Sequence, residues 1–119
     1  MMIIAIPVED TKQSVCVSFG RAPYFMLYNT ELQTTVVTAN PAAEAQGGAG
    51  PKAAQFVVDQ EAAALITVRC GEKAAAVLQL AEVAMYKADG TDLQQNIRAF
   101  QEGKLDKLTQ FHAGFQGQP

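Results

Sequence analysis

Three short apolar runs constrain this chain more than anything else in it: residues 3–6, 64–68 and 83–86. Each is short for a helix and carries the unbroken apolar character of a strand buried on both faces. The segments that separate them change period. Ala53, Phe56 and Val57 share one helical face, and Pro51 suits a first helical position, where no amide partner is needed. Ala74, Val77, Leu78 and Ala81 follow at the same spacing. Leu93, Ile97 and Phe100 form a third helical face after Thr91-Asp92-Leu93-Gln94, which reads as a capping box, and Gly103 is the natural stop. A helix between two buried strands implies a right-handed parallel crossover.

Residues 24–28 and 34–38 are rich in aromatic and β-branched side chains and flank Asn29-Thr30-Glu31-Leu32-Gln33, so they predict a hairpin. Pro7 is expected to stop the first strand. Asn40-Pro41 is expected to end the hairpin, because a residue before proline avoids the helical region. The expected order is strand, hairpin, helix, strand, helix, strand, helix. That gives an α/β, three-layer fold of ribonuclease H-like layout: a mixed five-stranded sheet with helices on both faces. Its first, fourth and fifth strands are parallel and the hairpin is antiparallel at one side.

The 119 residues suit one domain, with 49% hydrophobic and 18% charged residues arguing against disorder. We expect the domain to span residues 1–105 and residues 106–119 to form a loose tail. A net charge of −3 without a basic stripe gives no case for nucleic acid. No apolar run approaches the roughly 20 residues of a membrane span, and the N-terminus lacks the pattern of a signal peptide, so a cytoplasmic protein is expected.

In an open α/β sheet, ligands sit beyond the carboxyl ends of the parallel strands. Three loops should converge there. The first holds Glu9, Asp10, Cys16 and Ser18, the second is residues 46–50, and the third is Arg69-Cys70-Gly71-Glu72. Gly47, Gly48, Ala49 and Gly50 let a ligand approach the main chain, and the helix start behind them offers unpaired amides to an anion. Arg21, Lys52 and Arg69 can add positive charge. Cys16 and Cys70 can act as soft thiolate ligands, or pack as small hydrophobes. Phe19, Tyr24 and Phe25 suit the core, with Phe19 also able to line the pocket. Arg21 can pair with Glu9 or Asp10, and His112 is expected to be solvated. A nuclease built on Asp10 and Glu9 is disfavoured, because residues 3–6 hold no carboxylate and two-metal hydrolysis needs several clustered ones.

Three segments carry a resemblance: Phe19-Gly20-Arg21-Ala22-Pro23-Tyr24-Phe25, Gly48-Ala49-Gly50-Pro51-Lys52-Ala53-Ala54 and Val83-Ala84-Met85-Tyr86-Lys87-Ala88. In this order they resemble the dinitrogenase iron–molybdenum cofactor-binding family. Its members include nitrogenase accessory proteins and orange-protein-like stand-alone domains of anaerobes. The resemblance implies non-enzymatic binding, carriage or delivery of a metal–sulfur cluster, either molybdenum–copper sulfide or an iron–molybdenum or iron–sulfur species, and a protein partner that receives it. The residues of this chain expected to contact the cluster are Cys16, Ser18, Phe19, Arg21, Gly47, Gly48, Ala49, Gly50, Cys70 and Gly71, with the thiols of Cys16 and Cys70 as candidate metal ligands. Many members carry histidine where this chain has Ser18, and a more glycine-rich turn where it has Cys70. The first departure leaves two ways to hold a cluster: Cys16, two positions earlier on an extended segment, or amides and basic side chains without a covalent bond. It also leaves open a protein-interaction or regulatory domain that has lost the cluster site.

Overall fold

A computed structural model describes residues 2–111. The elements are β1 (Ile3–Val8), β2 (Tyr24–Asn29), β3 (Thr34–Ala39), α1 (Ala49–Asp59), β4 (Ala64–Thr67), α2 (Glu72–Leu80), β5 (Ala84–Lys87) and α3 (Leu93–Gln101). They form one five-stranded sheet in the order β3-β2-β1-β4-β5. β1 runs parallel to β4 and β4 to β5, while β2 pairs antiparallel with both β1 and β3. This is the mixed ribonuclease H-like sheet that the order of apolar runs predicts.

Alternation along the strands sends side chains to two separate cores. Ala5, Phe25, Leu65 and Met85 face α1 and α2, meeting Ala53, Ala54, Val57, Ala74, Ala75 and Leu78. Ile4, Ile6, Val8, Met26, Tyr28 and Ile66 face α3 and meet Leu93 and Ile97. The small alanines on α1 and α2 let those helices lie close to the sheet and to each other. Among the described residues no helix is long and apolar enough to cross a membrane.

Pro7 does not end β1. The Thr30 amide donates to Met2 O, which fixes the alternation of hydrogen-bonded pairs between β1 and β2 and places Pro7 opposite Phe25 in a non-bonded pair. The amide that proline lacks would therefore point away from β2. On that side the pairing with β4 has already ended at Ala5↔Leu65, so no ladder bond is lost. The carbonyl of Pro7 on the same side accepts the Cys16 amide.

Three further expectations shift. The cap of α3 is Asp92, one residue later than the capping box placed it, and its carboxylate accepts the Gln95 amide at 2.8 Å. Thr91 is drawn out of the cap because its carbonyl accepts the Val15 amide. α1 begins at Ala49, so Pro51 is its third residue, where an amide would still have no intrahelical partner. Residues 106–108 are also not loose. The Lys87 amide donates to Asp106 O, the Leu108 amide donates to Met85 O, and Leu108 is buried. Residues 106–108 thus lie antiparallel along the outer edge of β5, with Lys107 opposite Tyr86 and its ammonium 5.3 Å from that ring. His112 lies outside the described residues.

Candidate functional site

The loop after β1 and the glycine-rich loop before α1 meet main chain to main chain. A Cβ added at Gly20 would lie 2.9 Å from the Gly50 nitrogen, 3.0 Å from its Cα and 3.1 Å from the Ala49 carbonyl carbon. One added at Gly50 would lie 3.4 Å from the Ala74 Cβ. Gly20 therefore rests on the start of α1 with no side chain between them, and that start in turn lies close to α2. Two segments 30 positions apart in sequence become one surface.

Asn40 holds that surface in place. Its buried side chain donates from Nδ2 to Gly20 O at 3.0 Å and Ala22 O at 2.8 Å, and its Oδ1 accepts the Ala42 amide at 2.9 Å. The Asn40 amide itself donates to Pro23 O. Arg21, across the same loop, donates to the carbonyls of Ala43 and Ala45 instead of pairing with Glu9 or Asp10. Ser18 closes the tight turn by accepting the Arg21 amide on its hydroxyl at 3.1 Å. The sequence marks Asn40 only as the end of a strand. Its neighbour Pro41 was the visible signal, but nothing in the sequence identifies the three groups it binds.

The rest of the cradle is open. Gly47 and Gly48 are exposed, and a Cβ at either would meet nothing within 4 Å. Gly48 caps α1 in the left-handed conformation at φ 67°, a backbone state that favours glycine. No side chain caps α1 and no acidic residue lies in its first turn. α2 differs: it starts after Gly71 and carries Glu72 in its first turn, which already complements the positive end of the helix. Of the two helix starts, only that of α1 keeps its field for an outside anion. Lys52 is exposed one turn along α1, while its amide closes the first helical bond to Gly48 O.

The two cysteines are free thiols in different surroundings. Cys70 is buried in the core under α1 and α2, in the same apolar cluster as Phe19 and Ala49, and its thiol donates to Gly71 O at 3.6 Å. Burial pushes its pKa up to about 12. Cys16 is buried outside that cluster. Its pKa is also raised, chiefly by burial and further by Glu9 and Asp10, against a hydrogen bond from the Ser18 amide that favours the thiolate. That bond needs a bend at Val17, so residues 16–18 do not run extended as the alternation argument assumed. Among the described residues no group of three or more His, Cys, Asp or Glu is disposed to hold a metal ion. Phe19 is core, with its ring edge-on to Phe25 at 5.5 Å. Arg69 is exposed on the third loop.

Both thiols are expected to resist iodoacetamide in the native protein at about pH 8 and to react once the chain unfolds, because the thiolate is the nucleophile. A pH dependence follows for Cys70. The native thiol keeps its proton up to about 12, whereas the unfolded one ionises near 9.0. Between those values the unfolded chain binds fewer protons, so stability falls as pH rises. The advantage of wild type over Cys70→Ala should be complete below about pH 9 and shrink towards pH 12 in urea titrations.

Residues 1–103 match the family described as dinitrogenase iron-molybdenum cofactor. The chain is 31% identical over 111 residues to an uncharacterised protein of Methanocaldococcus jannaschii, covering 91% of this chain and 92% of that one. The structure superposes on the apo form of the orange protein from Desulfovibrio gigas with a TM-score of 0.84, at 27% identity, over 92% of this chain and 94% of the other. An NMR structure of a Thermotoga protein, described as a candidate NifB protein of the DUF35 family, superposes with a TM-score of 0.78 at 37% identity. The match covers 98% of this chain and all of the other.

Proposed function

This chain belongs to the dinitrogenase iron-molybdenum cofactor family, and from that premise we propose that it binds an anionic metal–sulfur cluster at the start of α1 and carries it, without chemistry of its own, to a protein partner. The observation that carries the reading is the main-chain contact of Gly20 on Gly50 beside the open Gly47 and Gly48, at a helix start that no side chain caps.

The residues suit such a cargo in a particular way. A sulfide cluster is large, soft and negative. Backbone amides at a helix start accept negative charge without being ionised themselves, and glycines without side chains let a bulky anion reach them. Lys52 adds a mobile positive charge at the rim. The thiols suit it less well, since both are raised towards the protonated form and Cys70 sits in the core. We therefore take amides and basic side chains as the main holders. Cys16 and Cys70 are the alternative ligands.

The test is anaerobic reconstitution of the apo-protein with tetrathiomolybdate plus copper, or with iron and sulfide, followed by ultraviolet–visible spectra and elemental analysis. A stoichiometric chromophore that survives Cys16→Ser and Cys70→Ser but weakens in Lys52→Glu is the expected result. Loss of the chromophore in either cysteine variant would move the site to the thiols. No bound metal under any condition would overturn cluster carriage and leave a protein-interaction domain.

A further inference from the structure

β3 is an edge strand with none of the usual protections. Its sequence, Thr34-Thr35-Val36-Val37-Thr38-Ala39, has no charge, no proline and no glycine. Among the described residues nothing pairs with its outer side. Natural proteins normally blunt such an edge with lysine, proline or a bulge, because its free amides and carbonyls template a further strand. The opposite edge of this sheet, on β5, is covered by residues 106–108.

We propose that β3 pairs antiparallel with β3 of a second copy of this chain, joining two sheets into one of ten strands. The register follows from the ladder already present. The Asn40 amide donates to Pro23 O, so the hydrogen-bonded pairs between β2 and β3 are 25↔38, 27↔36 and 29↔34. Thr35, Val37 and Ala39 therefore aim their amides and carbonyls outwards. A two-fold axis through Val37 sets Val37 against Val37 and Thr35 against Ala39, and every outward group finds a partner.

The flanks agree with that register. Leu32 at the hairpin tip is 66% exposed. Continuing the pairing brings Leu32 of one copy level with Ala42 of the other, next to Pro41. Pro41 borders an open depression of about 300 Å³ lined also by Pro23, Tyr24, Ala39, Ala43 and Glu44. Leu32 lies before the start of β3 and the hollow at its end, so antiparallel two-fold pairing turns the exposed side chain of each copy towards the hollow of the other. No charge on the strand opposes another across the axis. A six-residue strand with short flanks buries less than the roughly 800 Å² per partner of a standard interface, so the dimer is weak and concentration-dependent.

Sedimentation equilibrium of the full chain over a wide concentration range tests this. Wild type is expected to move from monomer to dimer, and Val37→Pro to stay monomeric, since the amide it removes is not used by β2. Circular dichroism checks that this variant folds. Independently of its folding, Val37→Cys should form an interchain disulfide under oxidised glutathione. Directly opposed bonded residues lie about 5.5 Å apart at Cα, inside the disulfide range. Val36→Cys should not, because its two copies are diagonal neighbours about 7–8 Å apart. A wild type that is monomeric at every concentration, a Val37→Pro that dimerises, or cross-linking as efficient at 36 as at 37 would each overturn the proposal.

Discussion

Gly20→Ala is expected to destabilise the protein by about 3 kcal/mol, the upper part of the usual range for forcing a group into a packed space. The cause is unusually rigid. The new methyl would lie 2.9 Å from the Gly50 nitrogen and about as near two further main-chain atoms, and none of these can rotate aside as a side chain can. Either the loop after β1 lifts off α1 or α1 moves against Ala74. Both separate the two halves of the candidate site. Urea unfolding should show the loss in stability, and cluster uptake should fall with it. Gly47→Ala is the control: its methyl would meet nothing within 4 Å, so its stability should stay within about 0.5 kcal/mol of wild type. Equal stability of the two variants would show that the contact at Gly20 is not needed to hold the loops together.

Asn40→Ala should cost a similar amount, about 3 kcal/mol, for a different reason. It strands the carbonyls of Gly20 and Ala22 and the amide of Ala42 at once. A buried polar group left without a partner costs roughly 1–3 kcal/mol, and water entering the opened site recovers part of the sum. Asn40→Asp is the sharper probe. It keeps the acceptor for Ala42 but replaces the one nitrogen that donates both bonds with an oxygen facing two carbonyl oxygens, so it should be no more stable than the alanine variant. Hydrogen exchange should show faster opening of the Ala42 amide in Asn40→Ala. A loss below about 1 kcal/mol in Asn40→Ala would mean that other contacts hold the loop.

The sheet was legible in the sequence because its strands carry their own signal. Residues 3–6 and 64–68 are apolar on both faces, as the inner strands β1 and β4 require, while residues 83–86 lead into the outermost parallel strand, β5, which is only partly buried. The hairpin was legible from its β-branched residues. Boundaries were less so, and each error has a cause in distant pairing. Pro7 stays in β1 because β4 has already parted from it. Thr91 yields the cap to Asp92 because Val15 claims its carbonyl. Residues 106–108 are ordered by the edge of β5 and by the burial of Leu108, although Asp106 and Lys107 carry no strand signal.

The candidate site was half legible. Glycine at 47, 48 and 50 before a helix is a visible pattern, and so is Phe19-Gly20-Arg21. What Gly20 touches is not visible, because a missing side chain leaves no trace of the neighbour that required its absence. The roles of Asn40 and Arg21 were hidden for a related reason. Both act on main-chain carbonyls, which every residue possesses, so no complementary residue type marks the partner. The thiols show the opposite failure: cysteine draws the eye as a ligand, yet Cys70 lies in the apolar core among residues of six elements that only the fold brings together.

The strand-like segment at 106–108 limits how far this molecule can polymerise. A sheet with two bare ends can recruit copies at both and grow without bound, as fibres do. Here Lys107 lies against Tyr86 on one side, which leaves a single terminus for addition. Once two copies have joined through β3, each end of the joined sheet is the short segment 106–108, with Lys107 at its one outward-facing position, the kind of edge that resists a further strand, so assembly by this route is expected to stop at two.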